Sequence, residues 1–426
     1  MKLQKIKRLH LMLVISALSV LALSGCSDSD SPSSTAQGLT LTNFQAASVV
    51  IGQPDFTSGD SNQGGSADAD TFDGLYGNPV VYNDILYLPD YGNARVLGFN
   101  TIPTTNGESA DFVLGQPDFT TTTSDLTQAG MDGPQSVSVD NGKFFLTDYS
   151  SNRITVYNTV PTTGPGLPDV VVGQPDFVTD TEDPANSGLT SPETSIAVDG
   201  KLIVTDSDSN RVLIWNSIPT VNGTPADIVL GQNDLAHNEP NDDNQDGTAD
   251  ANPTARTLSS PSGVWSDGTR VVVLDYENNR ALIWNTFPTA NFTPADVVLG
   301  QGDFTHNTSN DDDQDGTEDS MPSDRTLNYP YDGVFCKNDQ LFIADYDNNR
   351  VLVWNTFPTT NFAPADVVLG QVDFTGSTAN DADNDGTEDA TPSATTLYEP
   401  KGIYIEGDKL IVADGGNYRY LIYEGQ

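Results

Sequence analysis

Short apolar runs separated by turn-forming residues fill the chain from about residue 48 to its end. The stretch from Pro261 to Phe304 shows the unit. It holds four β-rich runs, GVWS, RVVVLDY, RALIWN and ADVVLGQ, each bounded by Gly, Pro, Asn or Asp. Such residues end strands and make turns, so the pattern predicts four short strands. A second block, beginning at Tyr331, aligns with the first residue for residue through most of its length. Self-similarity at a fixed period identifies a repeat architecture.

An arginine after the second run marks each copy. It recurs at Arg95, Arg153, Arg211, Arg280, Arg350 and Arg419, giving six copies. A Gly-Gln pair closes the fourth run, at Gln53, Gln116, Gln174, Gln232, Gln301 and Gln371. The two series are out of phase: the first Gly-Gln precedes every arginine, and the last arginine has none after it. The final copy is therefore one strand short, and the missing strand is the run ASVVIGQPDF near the N-terminus. A linear β-array gains nothing from this arrangement, because its ends need caps. A closed ring does. Six units of four antiparallel strands predict an all-β, six-bladed β-propeller whose N-terminal strand completes the last blade and removes the open edge.

The runs IADYDNNRV, VLDYENNRA, LTDYSSNRI and LPDYGNARV resemble the NHL repeat, and the VLGQPDF and WNTFPT runs look like a bacterial variant of it. The resemblance covers nearly all of residues 49–426. It implies the propeller. It does not choose among functions, because propellers host binding, scaffolding and catalysis alike.

Residues present in every unit serve what every unit needs. Asp90, Asp148, Asp206, Asp275, Asp345 and Asp414 each stand five residues before the arginine. Read singly these pairs look catalytic; their recurrence makes them a turn clamp. Phe99, Tyr157, Trp215, Trp284, Trp354 and Tyr423 recur as third-strand packing. His237 and His306 occupy equivalent places in separate units, a poor basis for zinc.

What varies is the loop entering each unit. From the Gln of Gly-Gln to the Pro of the next first strand, the separations are 26, 18, 18, 29, 29 and 29. The three longest loops carry NDDNQDGTAD, NDDDQDGTED and NDADNDGTED. Asp242, Asn244 and Asp246, then Asp311, Asp313 and Asp315, then Asp381, Asp383 and Asp385 follow a D-x-[DN]-x-D-G spacing. There alternate side-chain oxygens wrap a hard cation and the glycine permits a sharp turn. Asp250, Asp319 and Asp389 fall at the ninth position. These runs look like EF-hand or thrombospondin type 3 loops, which implies Ca²⁺. They depart at the twelfth position, where Pro253, Pro322 and Pro392 replace the expected Glu, so low affinity is expected. The alternative is a set of plain solvated acidic loops. Strand parity puts these loops and the Asp–Arg turns on one face. At its centre, the residue after the opening Pro differs in every unit: Val80, Gln135, Glu193, Ser262, Tyr331 and Lys401. With Asp332, these form a candidate ligand-binding channel mouth.

The first 25 residues read as an address. Lys2, Lys5, Lys7 and Arg8 precede an apolar run, Leu9 to Leu23, that is too short to span a bilayer. Leu23-Ser24-Gly25-Cys26 resembles a bacterial lipobox, which implies lipidation at Cys26; an ordinary secretory signal is the alternative. Ser27 in place of aspartate favours the outer membrane of a Gram-negative cell envelope. Residues 26–47, rich in Ser, Asp, Pro and Thr, are expected as a disordered tether, and 48–426 as the propeller. With Cys26 lipidated, Cys336 is left without a disulfide partner and is expected as a small core residue.

The address holds four of the 18 basic residues and none of the 60 acidic ones, so the net charge of −42 becomes −46 in the mature chain. That excludes nucleic acid as a partner and leaves the lipid as the sole membrane contact. The expectation is a monomeric, surface-anchored module that binds or scaffolds a protein or cell-surface polymer. The alternative is a calcium-dependent, lactonase-like hydrolase with a metal in the channel.

Overall fold

The computed structural model describes residues 38–182 and 188–425. It is an all-β ring of six sheets, each of four antiparallel strands: a six-bladed β-propeller. Blade four shows the pattern, with strands Pro261–Ser266, Val271–Asp275, Arg280–Trp284 and Val297–Leu299. β-Branched and aromatic residues fill these strands and bury both faces against the neighbouring blades. Trp215, Trp284 and Trp354 sit in the third strands. Each indole Nε1 donates to a backbone carbonyl of its own blade, at Thr224, Thr293 and Ala363, so its polar group is satisfied in the core. No helix among the described residues is long and apolar enough to cross a membrane.

The ring closes as the out-of-phase repeats require. Strand Val49–Ile51 is the outer strand of blade six and pairs antiparallel with Arg419–Glu424, Val49 facing Ile422 and Ile51 facing Tyr420. The closing segment is longer than the sequence suggested. Residues 38–47 were expected in the tether, but Leu39, Leu41 and Ala47 are buried between blades five and six. Asn43 Oδ1 accepts the N–H of Val368 at 3.1 Å, and Phe44 donates its N–H to the Val368 carbonyl at 3.0 Å. The same two-bond clasp on the outer strand of the preceding blade is made by Asn106 on Val50, Asn222 on Val171, Asn291 on Val229 and Asn361 on Val298. Each clasp uses backbone groups of an outer strand that would otherwise form an open edge. Thus 38–47 are a repeat fragment with a job, not a linker. Cys26 and the expected signal lie outside the described residues.

Two further expectations change. In blade one the strand runs Val80–Tyr82, after Pro79, but the position equivalent to the opening Pro of the other blades is Leu75. Tyr91 donates its N–H to the Gly74 carbonyl, as Tyr149 does to that of Gly133 before Pro134 and Gly415 to that of Glu399 before Pro400. Tyr76 therefore takes the mouth position, Val80 lies deeper, and the loop into blade one is shorter than the count from Pro79 made it. Blades one and five each carry one extra residue in the first strand; in blade five it puts Asp332 at a positive φ of 49°. Cys336 is buried in the core between blades four and five. The expectation that it lacks a disulfide does not hold, since no described cysteine is a free thiol.

Candidate ligand-binding face

The loop-bearing face is built on the six Asp–Arg turns. In blade four, Arg280 Nε donates to Asp275 Oδ2 at 2.7 Å, with both side chains fully buried. Arg280 Nη1 donates to the carbonyl of Phe304 in the loop leaving the blade, and Nη2 to Thr254 and Thr257 in the loop entering it. Asp275 Oδ1 accepts the N–H of Ser259. All six pairs make the Nε–Oδ2 contact at 2.7–2.9 Å. They are hubs of loop structure, as their recurrence indicated.

The acidic loops are fastened to these hubs by a reciprocal amide pair. Asn241, just before Asp242, exchanges two side-chain hydrogen bonds with Asn278 at 2.9–3.0 Å, and Asn278 also donates to Asp275. Asn310 pairs in this way with Asn348, Asn380 with Asn417, and Asn62 of blade one with Asn93. Blades two and three have Ser151 and Ser209 at that turn position and short loops. That covariation was present in the sequence and marks which turns hold a long loop.

Within the loops, Asp242, Asp311 and Asp381 are buried, and each carboxylate accepts two backbone N–H groups, including that of Gly247, Gly316 or Gly386. The carboxylates of Asp250, Asp319 and Asp389 fold back to accept one backbone N–H each. Asn244, Asp246, Asp313, Asp315, Asp383 and Asp385 are exposed. Carboxylate oxygens of Asp311, Asp313 and Asp315 all lie within 4.8 Å of one another, as do those of Asp381, Asp383 and Asp385. The neighbouring Asp315 and Asp385 charges raise the carboxyl pKa of Asp313 and Asp383. Converging oxygens that repel one another suit a divalent cation. The prolines at the twelfth position are buried and offer no ligand.

At the centre the mouth residues meet. Tyr331 OH donates to Glu193 Oε2 at 2.9 Å, and Gln135 Nε2 donates to Asp332 Oδ2 at 3.1 Å. Lys401 Nζ lies 3.6 Å from the centre of the Tyr76 ring, with Tyr346 and Tyr331 further off. Burial, with the Asp332 carboxylate next in effect, pushes Glu193 well above the usual carboxylate range. Burial lifts Asp332 to about 7 and lowers Lys401. Val80 is the one expected member the structure removes; Ser262 stays, bonded to the Pro330 carbonyl. One oxygen of each carboxyl is engaged, by a phenol and an amide, an ammonium stands nearby, and Asp332 Oδ1 stays buried without a partner.

Around this mouth runs a collar of tyrosines. Tyr149 contacts Tyr91, Tyr91 contacts Tyr76, Tyr76 contacts Tyr331, and Tyr331 contacts Tyr276 and Tyr346, with ring centroids 4.6–6.3 Å apart. Four of them follow the clamp aspartate and read in the sequence as mere repeat consensus. Tyr76 was missed because Leu75 stands where the other blades open with Pro, and Pro79 lies four residues on.

No known family's sequence profile matches the chain, and no curated protein does. Several solved structures share its shape at low similarity. A nidogen/laminin complex matches at 15% identity over 70% of this chain and 84% of that one, TM-score 0.35. An auxiliary nutrient binding protein from Bacteroides thetaiotaomicron matches at 13% over 83% and 70%, TM-score 0.43. A catalytically inactive virginiamycin B lyase from Staphylococcus aureus with quinupristin matches at 12% over 82% and 94%, TM-score 0.38. At these values they carry no argument about function. By its own strand order the chain is a six-bladed β-propeller with one elaborated face.

Proposed function

We propose that this protein is a binding or scaffolding module of the cell envelope that meets its protein or polymer partner on the loop-bearing face, with Ca²⁺ ordering the acidic loops. The observation that carries the reading is the repeated fastening of three acidic loops, two with converging carboxylates, to hubs of which two also carry the collar residues Tyr276 and Tyr346. The first described residue, Gly38, packs on Gln340 beside the hairpin between the first two strands of blade five, on the opposite face. A chain anchored ahead of residue 38 would present the collar outward.

Sites that lack a bidentate Glu resemble extracellular modules, with Kd of about 0.1–1 mM for Ca²⁺. Chelator is expected to increase protease cutting within 241–250, 310–319 and 380–389 while the β-sheet signal survives, because the loops project from an intact ring. Mg²⁺ should restore protection poorly, since it demands a tight octahedron and keeps its water. Replacing Asp313 and Asp315 by Asn should abolish the effect at that loop alone. If calorimetry finds no Ca²⁺ uptake at millimolar concentration and cutting ignores chelator, the loops are merely acidic.

The lipid reading rests on Leu23-Ser24-Gly25-Cys26. The chain has two cysteines, so a thioether at Cys26 and a disulfide to Cys336 exclude one another. Mass spectrometry should show a diacylglyceryl N-terminal peptide, and Cys26→Ser should release the protein from membranes. An unmodified Cys26 peptide, or one linked to Cys336, ends the anchor reading.

A further inference from the structure

The first strands line the axis with two rings of unlike side chains. The ring at the loop-bearing face is the mouth described above, where Tyr331 bonds Glu193 and Gln135 bonds Asp332. The second ring lies three residues further along each strand, four in blades one and five. It consists of Val80, Ser138, Ile196, Trp265, Phe335 and Tyr404, which share one register against the second strands. These side chains do not fill the axis. They surround a cavity of about 230 Å³. Val139, Val198, Phe335 and Tyr404 along it are half-buried, so it opens to solvent on the face opposite the acidic loops.

The wall is unlike the rest of the molecule. In a chain of net charge −42, no charged side chain lines it. Blades four to six contribute large aromatic side chains; the Phe335 and Tyr404 rings meet at 5.0 Å. Blades one to three contribute small or aliphatic ones. One polar atom in the wall is buried without a partner. Ser138 is 9% exposed, and its Oγ is buried with no hydrogen bond. The other three indoles donate to backbone carbonyls, but among the described residues no acceptor meets the Nε1 of Trp265.

We propose that this funnel binds a small, uncharged aromatic molecule bearing one hydroxyl or carbonyl. The volume lies below the roughly 300–1,000 Å³ of drug-sized sites, which restricts the ligand to one or two rings. Aromatic faces on one side favour a flat ring. Ser138 supplies the polar match on rotating its hydroxyl toward the ligand, since it is buried and unpaired as it stands, which is unfavourable until it is met. The inference does not depend on the loop-bearing face or on Ca²⁺.

The test uses the full mature chain and 2-naphthol as probe, followed by calorimetry and tryptophan fluorescence. One probe per chain is expected, with quenching of Trp265, the one tryptophan in the wall. Trp265→Phe should keep binding and lose the quench. Ser138→Phe, which fills the funnel, should weaken binding at least tenfold; should it fail to fold, Ile196→Phe fills the space from a neighbouring blade. n-Octanol should compete less well than naphthol. Absence of saturable binding up to the probe's solubility, or binding indifferent to the filling variants, overturns the site. Octanol displacing naphthol at lower concentration overturns the aromatic assignment.

Discussion

A chain lacking residues 38–56 should give no soluble monomer. The deletion removes the outer strand of blade six, the Asn43–Phe44 clasp on blade five, and the Phe56 carbonyl that accepts from Arg419 at 2.6 Å. It also removes Leu39, Leu41, Val49, Val50 and Ile51, all buried. Burying one such side chain is worth about 1.5–3 kcal/mol, so five contribute roughly 7–15 kcal/mol as an upper estimate. That matches the whole net stability of a typical domain, about 5–15 kcal/mol. The newly open edge of Arg419–Glu424 would then template aggregation. Size-exclusion chromatography and thermal melting check this. A monomer with an unchanged melting temperature would mean the ring closes without the N-terminal segment.

The sequence carried the fold because the propeller is repetitive: six arginines and six Gly-Gln pairs out of phase already required the seam found at Val49–Ile51. It carried the hubs for the same reason, since comparing blades separates common structure from special chemistry. It failed where one blade departs from the repeat. Leu75 in place of the opening Pro, with Pro79 four residues on, hid Tyr76 and with it part of the collar. Likewise Leu39–Ala47 looked like a linker because Ser and Asp around residue 30 run into it without a break, although Asn43-Phe44 matches Asn291-Phe292 and Asn361-Phe362. The mouth was legible as a ring of unlike residues. That Tyr331 would bond Glu193 and Gln135 bond Asp332, while the ring beneath leaves space, depends on side-chain volumes across six strands and has no linear signature.

The second large effect is expected at the hubs. Burial raises the Asp275 carboxyl pKa despite the adjacent Arg280, and it lowers that of Arg280. Desolvation thus outweighs the attraction within the pair, so charge alone does not explain its presence in every blade. The hydrogen bonds do. Arg280 satisfies the carbonyls of Phe304, Thr254 and Thr257, and Asp275 satisfies Ser259 N–H and Asn278. Asp275→Ala leaves a buried guanidinium uncompensated and should cost about 3–5 kcal/mol. The informative variant is the double substitution Asp275→Leu with Arg280→Met. An isolated buried ion pair tolerates such apolar replacement and sometimes gains from it. Here it would strand three carbonyls and an amide, each costing about 1–3 kcal/mol when buried without a partner. The double variant should therefore remain destabilised by several kcal/mol in denaturant titration. Its acidic loop, no longer held at Thr254, Thr257 and Ser259, should become the first site of protease cutting, within 241–250. A double variant as stable as the parent would show that the pair serves only its own charges, and that the loops hold their places without it.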